Sequence, residues 1–351
     1  MWNQLSRTHP GVRWGVLCCA SAALGAVFIT VHLPAAVLLA CMLAGILLSL
    51  RGIDLNVAPR VFSLAQAVLG CLIASSLQPS VLRKVGTDWP LFLGFAVSVI
   101  GVSALLGWVM MCRRIFPGTT AVWGLMPGGA SAMVLMSGDF GADMRLVAFM
   151  QYLRVVLVTA LASIVARVWA PHPAAASVTG LASVQLQDLG LTLVIVLVGA
   201  QLARRLRIPA GAMLVPLLVA TVLQGFGVMR LVLPPVLLAL AYGVIGWSIG
   251  LRFTVQIVQH AWRALPAVLG AILVLIGLGL MLALGLARLA DFGMLTAYLA
   301  TSPGGADSVA VIAATSAVDA GFVMAMQVAR MLMVIAIGPR VSKWVSAYAK
   351  R

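Results

Sequence analysis

Apolar stretches of 17 to 26 residues follow one another along the whole chain, parted by short polar punctuation. They run over 14–31, 34–50, 61–78, 89–112 and 144–169, then over 183–203, 209–228, 235–253, 262–287 and 320–345. A bilayer core asks a helix for roughly 20 such residues, and near-continuous apolar character at that length predicts membrane-spanning helices. Two further stretches, 118–140 and 294–316, are equally apolar but broken in the middle by Pro-Gly-Gly. Proline removes a backbone donor and disfavours helix just before it, and paired glycines loosen the chain. Each break therefore predicts two half-helices with unwound backbone between them.

The pattern is written twice. A shift of 176 residues lays Pro127-Gly128-Gly129-Ala130 on Pro303-Gly304-Gly305-Ala306, Asp143 on Asp319, Gln151 on Gln327 and Arg154 on Arg330. The same shift matches Val68, Gly70 and Ile73 to Val244, Gly246 and Ile249, and a shift of 175 sets Leu33-Pro34-Ala35 over Ile208-Pro209-Ala210. Polar identities at one offset in so apolar a chain indicate a tandem duplication. The expected layout is a first repeat over 1–170, a Pro/Ala/Ser/Gly linker over 171–182 and a second repeat over 183–351. The first apolar run is long for a signal peptide and has a counterpart in the second half, so it reads as a retained helix.

Composition agrees. The 351 residues are 63% hydrophobic and 9% charged, against roughly 25% charged in ordinary soluble domains. The net charge of +15 comes from short basic clusters beside apolar segments, such as Arg113-Arg114, and not from a basic face interleaved with aromatics. Nucleic acid is therefore not an expected partner; the lipid bilayer is. If each interrupted stretch dips in and returns, every half makes five crossings and the halves are inverted. Sixteen of the 23 Lys and Arg then lie inside with both termini. Residues 83, 84, 167, 230 and 288 lie outside, and 154 and 330 are embedded. Six full crossings per half give a poorer 13 to 8. The predicted fold is thus an all-α polytopic membrane protein of two inverted repeats, each with about five transmembrane helices plus one interrupted helix or re-entrant hairpin. A bacterial inner membrane with cytoplasmic termini is the expected location. Trp14, Trp89, Trp169, Trp262 and Trp344 sit at segment ends, where interfacial rings belong.

Unwound backbone at membrane depth survives only where protein or a watery cavity covers it, and paired interruptions in two halves point to a carrier's binding site. Candidate site residues are Pro127, Gly128, Gly129, Ser131, Gln151 and Arg154 in the first half. In the second they are Pro303, Gly304, Gly305, Asp307, Ser308, Gln327 and Arg330. Half-helices starting near Ser131 and Asp307 would aim N–H groups at an anion. Eleven residues separate Asp143 from Arg154, about 16 Å or three turns, so they share a face with Gln151 beside the arginine. An Arg at the bilayer centre costs roughly 2.5–3.5 kcal/mol and must face the protein interior. Its partner is either the unwound carbonyls, which it would staple, or Asp139, Asp307 or an anionic substrate; both roles stay open. Asp139, Asp143 and Asp319 suit coupling, and the last two also suit helix capping.

There are eight Asp and no Glu, four scattered His and five Cys without ligand spacing. No metal site and no cofactor are expected, and no nucleophile or phosphate-loop motif suggests an enzyme.

The run PGG-A-x-x-M…D-x-R-x-V…Q-x-x-R-V-x-x-V over 127–158, with its second copy, resembles the AbrB-type duplicated bacterial membrane proteins. Members of that family carry labels as regulators of gene expression and as ammonia monooxygenases, while their layout is similar to that of inverted-repeat secondary transporters. The resemblance spans nearly the whole chain. Here the copies differ at Arg145/Gly321 and Ser131/Asp307. Three functions follow for comparison. One is a secondary transporter of a small polar or anionic solute, coupled to protons or sodium and compatible with a homo-oligomer. Another is a membrane regulator acting on expression indirectly, for which no output domain is visible. A monooxygenase is disfavoured, since redox metals want clustered His or carboxylates.

Overall fold

The computed structural model describes residues 9–76, 89–127, 133–134, 137–138, 140–169, 186–206, 211–229, 231–290 and 292–348. The expected linker over 171–182 and residues 128–132, 135–136 and 139 lie outside them. Among the described residues the chain is helical, with an isolated antiparallel bridge between Gly118 and Ala142.

The first half gives α1 (Pro10–Thr30), α2 (Ala36–Leu50), α3 (Pro59–Ser76), α4 (Trp89–Cys112), α5 (Thr120–Leu125) and α6 (Met144–Trp169). The second gives α7 (Leu186–Leu206), α8 (Gly211–Gly225), α9 (Pro235–Gly250), α10 (Val255–Ala261), α11 (Leu265–Ala290), α12 (Met294–Thr301), α13 (Ala306–Ala314) and α14 (Ala320–Tyr348). Six described helices are long and apolar enough to cross a membrane, and four shorter apolar helices accompany them. This is an all-α polytopic membrane protein. The short helix α10 was not legible in the pattern, which starts its segment at 262. A 3-10 turn over Trp262–Ala264 separates α10 from α11. Pro266 then falls in the first turn of α11, where a missing N–H costs nothing.

Two compact units divide the chain, and neither follows the halves. The first takes 1–84, 163–254 and 310–322 and so holds α1–α3 and α7–α9. Within it the halves exchange partners: α3 packs on α8, and α9 packs on α2. The duplicated glycines make that exchange possible. A Cβ on Gly70 would stand 2.3 Å from the Met213 carbonyl oxygen on α8, and one on Gly246 would stand 2.5 Å from the Leu38 oxygen on α2. Membrane helices approach this closely only through small residues. Trp247 Nε1 donates to Ser21 Oγ at 2.8 Å and its ring meets Trp14 edge-on, tying α9 to α1.

The second unit takes 85–162, 255–309 and 323–351. It contains both Pro-Gly-Gly breaks, with α4 and α11 flanking the half-helices α5 and α12. In the first half the interrupted stretch returns to where it began. Thr119 Oγ1 donates to the Phe140 carbonyl at 2.9 Å, and the Asp143 N–H donates to Thr120 Oγ1 at 3.0 Å. Gly118 and Gly141 carry positive φ at this closure, a conformation that glycine adopts without strain.

Candidate functional site

Helix α5 stops at Leu125 because Met126 precedes Pro127 and is extended, at φ −62° and ψ 123°. Helix α12 stops at Thr301 for the same reason, with Ser302 before Pro303 at φ −58° and ψ 136°. A helix end leaves up to four carbonyls without intrahelical donors, and in an apolar interior each needs another partner.

Gln151 and Arg154 on α6 supply it for α5. Gln151 Nε2 donates to the Trp123 and Met126 carbonyls at 2.7 and 3.0 Å. Arg154 Nη1 donates to the Leu125 and Met126 carbonyls at 3.2 and 3.0 Å, and Nη2 to Gln151 Oε1 at 2.8 Å. The second copy repeats the glutamine bonds and the Gln–Arg link, with one arginine acceptor shifted from the 125 position to Gly304. Gln327 Nε2 donates to Leu299 O at 2.7 Å and Ser302 O at 3.4 Å; Arg330 Nη1 donates to Ser302 O at 2.6 Å. Arg330 Nη2 donates to Gly304 O at 3.1 Å and to Gln327 Oε1. Of the two roles open for the arginines, the geometry realises stapling. All four side chains are buried, Arg154 at 1% exposure and Arg330 at 4%. Among the described residues every acceptor they meet is a neutral carbonyl or amide oxygen.

The breaks meet on the same helix. A Cβ on Gly304 would stand 3.1 Å from Val158 Cγ1, and one on Gly305 would stand 3.6 Å from Val155 Cγ2. So α6 bonds the first break through residues 151 and 154 and touches the second through 155 and 158. Seven residues of helix rise only about 10 Å. Reciprocally, Met126 of the first break shares a buried cluster with Val334 of α14, beside Trp123 and Met133.

Pro127 and Pro303 are buried, and Asp307 is half-buried in the first turn of α13. Ser308 Oγ donates to the Gly305 carbonyl at 3.1 Å. Gly128, Gly129, Ser131 and Asp139 lie outside the described residues. Asp143 accepts from the Arg145 and Leu146 N–H groups at 3.0 and 3.2 Å, and Asp319 from that of Phe322 at 2.9 Å. These are helix-capping bonds.

Asp143 also pairs with His260 of α10 at 2.6 Å, a contact that sequence spacing could not disclose across 117 residues. Burial pulls the Asp143 carboxyl up, but the His260 hydrogen bond, the two N–H donors and the His260 charge together hold it below the usual carboxylate range. The sequence also gave no sign of Trp123 Nε1 and the Tyr298 hydroxyl, which are buried beside the breaks without hydrogen-bond partners among the described residues.

The family described as "Transition state regulatory protein AbrB" matches residues 37–346. The chain belongs to the AbrB family. It is 44% identical over 345 residues to "Putative regulator AbrB" of Escherichia coli (strain K12), covering 97% of this chain and 99% of that one. It is 25% identical over 301 residues to "Uncharacterized protein YhjN" of Bacillus subtilis (strain 168), covering 80% and 77%. No solved structure matches.

Proposed function

We propose that this AbrB-family protein is a secondary transporter of the bacterial inner membrane, moving a small polar or anionic solute through a site between its two broken stretches. The observation that carries the reading is the doubled staple. The same Gln-Arg pair holds the open end of each half-helix, and both breaks touch one stretch of α6. Paired breaks of this kind, in equivalent positions of two repeats, are how carriers place unwound backbone at mid-membrane. The return of residues 140–143 to residues 118–120 supports a re-entrant stretch, hence five crossings per half, inverted repeats and termini on the cytoplasmic side. Protons or sodium ions supply the coupling, and no catalytic step is assigned.

The test is a solute screen in liposomes holding the purified chain, with and without pH or sodium gradients. Gradient-driven uptake that disappears in Arg154→Ala and Arg330→Ala supports the reading; undiminished flux in both removes the arginines from it. The printed names of the family and of the Escherichia coli relative favour a second reading, regulation of expression. Deleting the gene and following solute content and transcripts over time separates the two. Transcripts that change before any solute does favour regulation.

A further inference from the structure

Among the described residues, the unit that holds both breaks leaves several buried donors without an acceptor. Trp123 Nε1, Arg154 Nε and Arg330 Nε have no hydrogen-bond partner among the described residues, and neither do the hydroxyls of Tyr298 and Thr159. These side chains are 0 to 4% exposed. Trp123 lies on α5, four residues before Pro127, and Tyr298 on α12, five residues before Pro303. Arg154 and Thr159 flank the Val155 and Val158 positions of α6 that touch the second break. Three of the five groups can only donate, and a buried donor left bare costs more than the bond it lacks would contribute.

Charge points the same way. Among the described residues both guanidiniums spend their Nη atoms on carbonyl and amide oxygens, which carry no formal charge. Among the described residues no carboxylate stands within ion-pair distance of either. The start of the nine-residue α13, just past the second break, adds the positive end of a helix dipole.

We propose that the solute is a small organic carboxylate. Its oxygens accept from Nε of Arg154 and Arg330 and from Nε1 of Trp123, and the apolar Met126, Val155 and Val158 suit a short carbon body. The two oxygens of a carboxylate offer about four lone-pair sites, enough for three donors. A more highly charged tetrahedral oxyanion loses more hydration against such walls. The inference rests on the carrier reading and sharpens it.

The test follows thermal unfolding of the purified full chain in detergent. Acetate, butyrate and succinate are compared with chloride, phosphate and ammonium at equal ionic strength. A saturable rise in Tm with carboxylates alone is the expected result. Trp123→Phe, which keeps the ring and removes the donor, should weaken the apparent affinity about fivefold. Should Trp123→Phe fail to fold, the parent chain's selectivity for carboxylates over chloride and phosphate decides alone. An equal response to chloride or phosphate, or none to any carboxylate, overturns the inference. Saturable carboxylate binding without passage across liposomes keeps the inference and sinks the carrier reading. Gradient-driven passage of a cation without carboxylate binding does the reverse.

Discussion

Replacing Gln151 by Leu removes one staple member without changing the bulk of a fully buried side chain. Three hydrogen bonds vanish: those to the Trp123 and Met126 carbonyls and the one from Arg154 Nη2. The Met126 carbonyl keeps Arg154 Nη1, so Trp123 O and one guanidinium N–H are stranded. Interhelical hydrogen bonds in membranes are worth about 0.6–1.7 kcal/mol each, and a bared charged donor adds about 1.5–3 kcal/mol. With two interhelical bonds lost and one charged donor bared, the expected loss for Gln151→Leu is about 3–6 kcal/mol, two decades or more in an unfolding equilibrium. Reversible unfolding in mixed micelles, read by circular dichroism, measures it. The second copy is an internal replicate, since Gln327→Leu strips the equivalent bonds. In a cycle with Arg154→Leu, the double variant should lose less than the sum of the two single losses, because the stranded guanidinium is gone. A loss below about 1 kcal/mol at both glutamines, with additive cycles, would refute the stapling.

Other outcomes are expected from single contacts. Gly70→Ala forces a Cβ to within 2.3 Å of the Met213 oxygen and should destabilise by about 1–3 kcal/mol or more. Gly15→Ala, with nothing within 4 Å of the new atom, should cost nothing measurable in the same unfolding assay. His260→Ala should cost at most about 1 kcal/mol, because the pair with Asp143 is partly exposed and screened. The Asp143 carboxyl is held below its unfolded value. Its contribution is therefore present above the ordinary carboxylate pKa of about 3.9 and fades as pH falls through the folded value. Acid unfolding of Asp143→Asn should accordingly show a shallower pH dependence than that of the parent.

The breaks, the duplication and the Asp/Gln/Arg series were legible because each is a local departure from apolar sequence, and a fixed offset makes departures countable. Spacing along α6 fixed the face shared by Gln151 and Arg154, but not what stood opposite. That partner is the end of a half-helix 25 to 29 residues earlier, and carbonyls have no letter in the sequence. For the same reason the pairing of Asp143 with His260 stayed hidden. Gly70 and Gly246 matched as repeats, yet their exchange of partners between halves is a fact of packing alone. The bare donors of Trp123 and Tyr298 looked like ordinary aromatic residues in apolar runs.

The central claim is that the two breaks lie together across α6. Disulfide trapping in native membranes tests it most directly, with Val158→Cys and Gly304→Cys in a chain whose five cysteines are replaced. A Cβ on Gly304 stands 3.1 Å from Val158 Cγ1, so mild oxidation should join the pair quickly and nearly completely. Absence of that bond, while a control pair within the α2–α9 contact forms readily, would contradict the account.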